Sequence, residues 1–458
     1  MKAGRYSIQI ILTALILASH SAESGADGTA AAHSIPTANS ATIPQPALDN
    51  LEARTRSRLA PDSKRVDLVV PTFTNPTQVR NSLFPISDLH SVLLVGKLEG
   101  NPWRAETILL PGTRTVEWEG KEIETLQSQF VAYLGGRIYE VAIDLYAQAD
   151  DGSVWYFGED AFSYERGRIS EVSETWHAGV EGPATMIMPG QPRVGDVYRP
   201  ENIPGLVFEE VTVKEIGQTR QGPIGEIKGV MVGRELHMEG DFEDKTFAPG
   251  YGELRSGLGE DYESNALAVP VDALSEPLPA ELPQLLTDAV RVMEGVRVQD
   301  WEAASAAIDR LLVAFAAHQE REPPKVLDAQ MTASLHTLGE ALATRDIRFA
   351  SLSALNVALA TTDLMLRYLP PADVDRMRFD LWARQLAIDA EAGEKGAVSG
   401  DVATLGWIRD RFAFDSADAN RIDDQLRYLG AAADAKDMIS AATAADRLRR
   451  TFPALGSR

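Results

Sequence analysis

Residues 137–164 read RIYEVAIDLYAQADDGSVWYFGEDAFSY, and this stretch decides the fold of the first large region. Two runs rich in β-branched and aromatic residues flank Asp150-Asp151-Gly152. Gly tolerates positive φ and Asp tolerates the left-handed region, so the pattern predicts a β-hairpin. In its first strand Tyr139, Val141, Ile143 and Leu145 are expected on one face, with Glu140, Asp144 and Gln148 on the other. The second face is then wet, or it lines a cavity. If Asp151-Gly152 is a two-residue turn, Asp144 falls directly opposite Glu159. Like charges in that position destabilise a sheet unless a cation, a shared proton or an intervening Arg neutralises them.

Working outward, Gly and Pro punctuate residues 66–270 at short intervals, and the runs between them are strand-like. Strands are predicted over 91–97, 105–110, 115–118, 123–134, 138–148, 154–158, 169–176, 185–188, 206–213, 227–232 and 234–238. Leu134-Gly135-Gly136-Arg137 reads as a tight turn. Short connections without helical period predict an antiparallel all-β domain, a sandwich, half-barrel or barrel. The Pro-rich, acidic stretch PVDALSEPLPAELP marks a linker at 271–282.

Beyond it the period becomes helical. Trp301, Ala304, Ile308, Leu311, Leu312 and Phe315 are spaced as one face of an amphipathic helix. Polar turns near Asp300, Asp346, Glu394 and Asp437 recur at helix-pair spacing, with Asp300, Asp346 and Ser416 as N-caps. The expectation for 283–455 is an all-α region of eight helices in four hairpins, packed as two four-helix bundles or a short solenoid. The whole chain is thus read as an α+β multidomain protein.

At the other end, Lys2 and Arg5 precede an apolar run over 8–18 and then small residues, the pattern of a secretory signal peptide over about 1–22. Cleavage is expected between Ala18 and Ala26, and no later stretch is apolar enough to span a bilayer. Residues 23–65, rich in Ala, Ser, Thr, Gly and Pro, are expected to form a disordered leader. The reading is a periplasmic or extracellular protein.

Charge and composition narrow the chemistry. A net charge of −23 repels nucleic acid and anionic lipid and favours cations or cationic partners. With no cysteine, the chain cannot form disulfides, Cys-ligated metal sites or thiol nucleophiles. The sequence contains no Gly-x-Ser-x-Gly elbow, His-Glu-x-x-His, P-loop or dinucleotide fingerprint. Two candidate sites remain. Asp144 and Glu159, with Trp155 and Tyr156 beside them, form a ligand-binding or paired-carboxylate site. Met186 and Met188 in TMIMPG, with His237 and Met238 in RELHMEG, offer soft ligands suited to copper, although methionines at this spacing equally suit a core. His336 and Glu340 stand one helical turn apart and read as an ordinary surface pair.

The runs NPTQVRNSLFPISDLHSVLLVG, AIDLYAQADDGSVWYFGEDAFSYE, VGDVYRPENIPGLVFEEVTVK and EDKTFAPGYGEL resemble a family of bacterial secreted proteins and lipoproteins of unassigned function, over about residues 71–254. FAPGYGEL is also similar to the closing strands of exported β-proteins that act as envelope binding modules. The resemblance implies export and a β fold, and it carries no catalytic residue. Its lipoprotein members would be membrane-tethered, whereas this chain lacks the required cysteine. The first-ranked expectation is therefore an exported, non-enzymatic binding protein of the cell envelope with an unknown protein or envelope ligand. A metal-handling protein (copper or calcium) ranks second. An envelope glycan hydrolase using paired carboxylates ranks third. No cofactor is predicted beyond such a metal ion.

Overall fold

The computed structural model describes residues 51, 53–172, 174–413 and 416–451, so the signal peptide and most of the leader lie outside the described residues. The chain begins with a short helix, α1 (Ala53–Arg56), and then enters a sheet of fourteen strands. These are β1 (Ser91–Leu98), β2 (Asn101–Trp118), β3 (Lys121–Leu134), β4 (Arg137–Gln148), β5 (Val154–Glu165), β6 (Arg168–Glu171), β7 (Trp176–His177), β8 (Thr185–Met188), β9 (Val197–Ile203), β10 (Val207–Gln221), β11 (Glu226–His237), β12 (Phe242–Ala248), β13 (Gly252–Leu258) and β14 (Asp261–Val269). The order is β6-β5-β4-β3-β2-β1-β14-β13-β12-β11-β10-β9. Every neighbouring pair along this path is a hairpin of consecutive strands except β1–β14, which joins the two meanders. The far ends approach through β8, which pairs with β5 while the Thr185 hydroxyl donates to the Pro200 carbonyl in β9. The result is a deeply curled half-barrel.

Strands expected separately at 105–110 and 115–118 are one strand, β2, and those at 227–232 and 234–238 are one strand, β11. The run 169–176 is instead broken into β6 and β7. Strands β9, β12, β13 and β14 lie outside the expected set. Each carries at least one acid, Glu201, Glu243, Glu253 or Glu263, at a buried or half-buried position, and Gly, Pro or Asn besides in β9, β13 and β14, residues that sequence propensity counts against a strand.

Eight helices follow: α2 (Glu281–Arg297), α3 (Trp301–Gln319), α4 (Lys325–Thr344), α5 (Ile347–Met365), α6 (Pro371–Glu391), α7 (Lys395–Arg409), α8 (Ser416–Asp434) and α9 (Met438–Thr451). Helix α2 packs on both α3 and α5, and α6 packs on both α7 and α9, so each set of four closes on itself. The arrangement is two four-helix bundles rather than a solenoid. Asp300 and Asp346 cap α3 and α5 by accepting from Ala303 N at 3.0 Å and Phe349 N at 2.8 Å. The Ser416 side chain lies outside the described residues. On α3 the buried stripe is Ala304, Ala307, Leu311, Ala314, Phe315 and His318, while Leu312 is 49% exposed. Alanines therefore define this face, because closely packed helices need small residues where they cross.

The helices pack on the convex side of the sheet. The first bundle shares a core with Leu93, Leu267 and Val269 of β1 and β14, and the second with Val131, Val141, Ile143 and Phe162 of β3, β4 and β5. A buried ion network crosses the same interface. Glu106 of β2 meets Arg104, Arg378 and Arg411 at 2.6, 3.3 and 2.6 Å, and Asp363 of α5 takes Arg104 and Arg378. Burial would raise the Glu106 carboxyl, but Arg378, Arg104 and Arg411 overcome it and hold it well below the usual range. The expected linker is pinned as well: Asp272 is 1% exposed and accepts from Tyr251 Oη at 2.6 Å and Ala268 N at 2.8 Å.

The end of the expected leader is ordered by specific contacts. Leu51 and Thr55 are buried. Thr55 Oγ1 donates to Met238 O at 2.7 Å, and Arg54 pairs with Asp241 at 2.7 Å. Burial of Leu51 and polar contacts from Thr55 and Arg54 together hold this segment to the β11–β12 turn.

Candidate functional site

The site is built on the β4–β5 hairpin and the strands that curl round to face it. The turn runs from Ala149, whose N–H donates to Ser153 O at 2.8 Å, and Gln148 pairs with Val154. This is one residue away from the expected register. A β-bulge restores it: Phe157 and Gly158 together oppose Leu145, so Asp144 stands opposite Glu159 after all. Gly158 makes the bulge at φ +122, and a Cβ there would lie 2.2 Å from the Trp176 carbonyl. A second bulge, at Tyr139, turns that ring away from Val141 to pack edge-on against Trp103 at 5.6 Å between centroids. Both faces of β4 are covered. Val141 and Ile143 meet the helices, and Glu140, Ala142, Asp144 and Tyr146 face the concave side.

No cation neutralises the carboxyl pair among the described residues. Asp144 is 6% exposed and accepts from Tyr156 Oη at 2.7 Å. Burial pushes it up to about 7, with the hydroxyls of Tyr156 and Tyr146 pulling the other way. Glu159 is fully buried, and neither oxygen has a hydrogen-bond partner. Burial first, then Asp144, Glu174 and Glu140, raise it well above the usual range. Both shifts favour the protonated forms, so the pair is set to share protons rather than to carry two charges. Glu140 and Glu201, both buried, are raised in the same way, by burial before neighbouring charge.

Across the concavity, β10, β11 and β12 set out a second polar group. Glu209 pairs with His237 across the strands, and Glu235 with Glu243, so all four side chains share the inner face. His237 Nδ1 is 3.7 Å from Glu209 Oε1 and 3.7 Å from Glu235 Oε1, and its Nε2 is 3.4 Å from Glu243 Oε2. Lys245 Nζ lies 2.7 Å from Glu235 Oε1 and 4.0 Å from Glu209 Oε1. Burial and then Glu235 raise Glu209 well above the usual range. For Glu235 the pull of Lys245 and His237 overcomes burial and lowers it. For His237 burial is outweighed by Glu243, Glu235 and Glu209, and the imidazole is raised.

Between these walls lies a cavity of about 160 Å³. Asp144, Tyr146 and Tyr156 line one side and Glu209, Glu235 and Lys245 the other. Phe130, Leu94 and Phe247 supply apolar surface. A space of this size suits a ligand no larger than a single ring, since a cavity of about 150 Å³ accommodates benzene.

The remaining predicted residues lie elsewhere. Trp155 is buried, and its Nε1 donates to Ser153 Oγ at 2.9 Å. Met186 opposes Trp155 and Met188 opposes Val154, and both methionines sit in an apolar cluster with Trp155, Phe157 and Trp176. Met238 is half-buried at the end of β11. The structure thus puts His237 among acids and the two strand methionines among apolar groups. His336 and Glu340 are an exposed pair at 3.8 Å. Glu209, Glu235, Glu243 and Lys245 were missed. For Glu235, Glu243 and Lys245 the signal was the period-2 polar pattern in RELH and FEDK, legible only once β12 is recognised as a strand, while Glu209 stood as an acid within the expected strand 206–213. The helical half carries a groove of about 450 Å³ where α2, α5, α6 and α9 meet, lined by Arg297, Arg348, Arg384, Arg449 and Arg450 over Met293 and Ile388.

No family model matches this chain, and no curated protein matches it either. Among the described residues, no helix is long and apolar enough to cross a membrane.

Proposed function

We propose that this chain is an exported, non-enzymatic binding protein of the bacterial cell envelope, with its ligand site inside the half-barrel. The single observation that carries the reading is the cavity between the Asp144 wall and the Glu209–Glu235 wall. Its acids and tyrosines accept hydrogen bonds, and its apolar sides exclude water, which suits a ring-sized ligand bearing an amine or other donors. Export is supported by the basic, apolar and small-residue order of the first 22 residues. The groove between the helices, where five arginines meet Glu294, Glu391 and Asp446 over apolar side chains, fits a protein-contact role for the helical half.

A glycan hydrolase needs both carboxyls within reach of a sugar. Glu159 is 0% exposed and does not line the cavity, so the geometry favours binding over hydrolysis. Of the thioethers in the copper reading, Met186 and Met188 lie in the apolar core, which weighs against it.

Native mass spectrometry of the mature protein, isolated from its own compartment, tests the proposal. A retained small organic molecule, absent from a Tyr156→Phe/Asp144→Asn variant of normal fold, is the expected result. A bare mass, together with no thermal shift from a panel of ring-sized amines and phenols, would refute it.

A further inference from the structure

Three ligand atoms of the kind that hold a metal ion converge beside the cavity, and two of the three residues, Glu209 and Glu235, line it. Glu209 Oε1, Glu235 Oε1 and His237 Nδ1 come from adjacent antiparallel strands, all three residues are buried, and the ligand atoms lie within 4.8 Å of one another. An ion with bonds of 2.0–2.1 Å to oxygen and nitrogen needs tetrahedral ligand separations of about 3.3 Å. The observed imidazole-to-carboxylate separations of 3.7 Å close to that by small side-chain rotations. Strands fix the three Cα positions, so the set is organised before any ion arrives.

A second observation is independent of the acid cluster itself. His237 is 5% exposed, and its Nε2 has no hydrogen-bond partner but faces Glu243 Oε2 at 3.4 Å. With Nδ1 turned to two carboxylates and Nε2 turned to a third, the imidazole has the environment of a metal ligand whose outer nitrogen is oriented by a carboxylate. Glu209 and Glu235 also line the cavity, so the cluster borders open space.

We infer that Glu209, Glu235 and His237 form a site for a first-row divalent metal ion, Zn²⁺ in the first instance, with Lys245 as its built-in competitor and Glu243 as the positioning residue behind His237. The inference rests on the cavity as an accessible site, but it does not need an organic ligand. Two carboxylates and an imidazole suit Zn²⁺, Mn²⁺ or Co²⁺. Calcium takes 6–8 oxygen ligands, more than this wall supplies. The Lys245 ammonium, 2.7 Å from Glu235 Oε1, holds the charge position that the ion would take. Glu243 and Glu253 are near enough to act on that ammonium, and they receive it when it is displaced.

The test is titration of the full mature chain with Zn²⁺ alone, followed by calorimetry and native mass spectrometry. Co²⁺ absorption serves as a signature of the ligand set. One ion per chain is expected. Lys245→Met should tighten binding about tenfold or more, because a unit charge a few ångströms away is removed. His237→Asn and Glu235→Gln should abolish stoichiometric binding and the Co²⁺ spectrum. Glu243→Gln should weaken binding by roughly 10–100-fold with the spectrum kept. Met186→Leu should change nothing. The inference is overturned if neither the wild type nor Lys245→Met takes up Zn²⁺, or if bound metal survives His237→Asn in a folded protein. Failure here with ring-sized amines still bound would leave the cavity reading standing. The reverse outcome would leave the metal site and remove the organic ligand.

Discussion

Asp144→Asn tests whether the facing carboxyls are neutralised by protons. In the folded protein Asp144 is raised from an ordinary 3.8 to about 7. A raised carboxyl binds its proton more tightly folded than unfolded. Its contribution is fully present below pH ~4 and is lost as pH rises through about 7. At about 1.4 kcal/mol for each pH unit between the two values, this one group removes on the order of 4 kcal/mol from the wild type by pH ~8. The substituted amide does not titrate, and its oxygen can still accept from Tyr156 Oη, now 2.7 Å from Asp144 Oδ1. Urea unfolding of both proteins at pH ~4.5 and pH ~8.5, followed by circular dichroism, should show the variant gaining ~2–4 kcal/mol on the wild type at the higher pH. Glu201 titrates in both proteins and cancels, while loss of the Asp144 charge also relieves Glu159 and Glu140, which moves the gap in the same direction. A gap that stays constant refutes the proton reading. A gap that moves against the variant at high pH means that the carboxylate is stabilised as an anion, as by a cation between Asp144 and Glu159.

Three further outcomes are expected. Glu106→Gln should cost ~3–5 kcal/mol in the same assay, because it leaves Arg104, Arg378 and Arg411 short of a counter-charge in a buried interface. The lowered carboxyl at Glu106 has the opposite sign to Asp144: its contribution is present above the unfolded value and lost as pH falls through and below ~4, so the wild type should weaken in acid while the Gln variant does not show this loss. Gly158→Ala should cost ~2 kcal/mol or more and loosen the Asp144–Glu159 pairing, seen as faster amide exchange in β5, since φ +122 and a 2.2 Å clash with Trp176 O both resist a side chain. Asp300→Ala removes the cap on Ala303 N and should lower stability by ~1 kcal/mol without touching the cavity, measured as a fall in Tm with ligand binding unchanged.

Local chemistry determined much of this protein from the sequence alone. The helices were legible because polar caps and a helical period both act within a few residues, as at Asp300 and Asp346. Strands rich in β-branched and aromatic residues were legible for the same reason, as at Arg137–Gln148. The Asp144–Glu159 pairing follows in sequence from a turn that is one residue off, and the bulge at Gly158 compensates. That compensation depends on the Trp176 carbonyl packing against Gly158, which is not local information.

Tertiary structure alone decided the rest. It placed the helices on the convex face, closed them into two bundles, and left the polar strand faces enclosed within the half-barrel. It also brought β4 and β5 to the opposite side of one cavity from β10, β11 and β12. Glu209, Glu235 and His237 meet because the β10–β11 hairpin sets their register, while an alternating acid in a strand reads in sequence as a solvated face. Burial is a property of the whole curled sheet, and burial is what turns those acids from surface charge into a site.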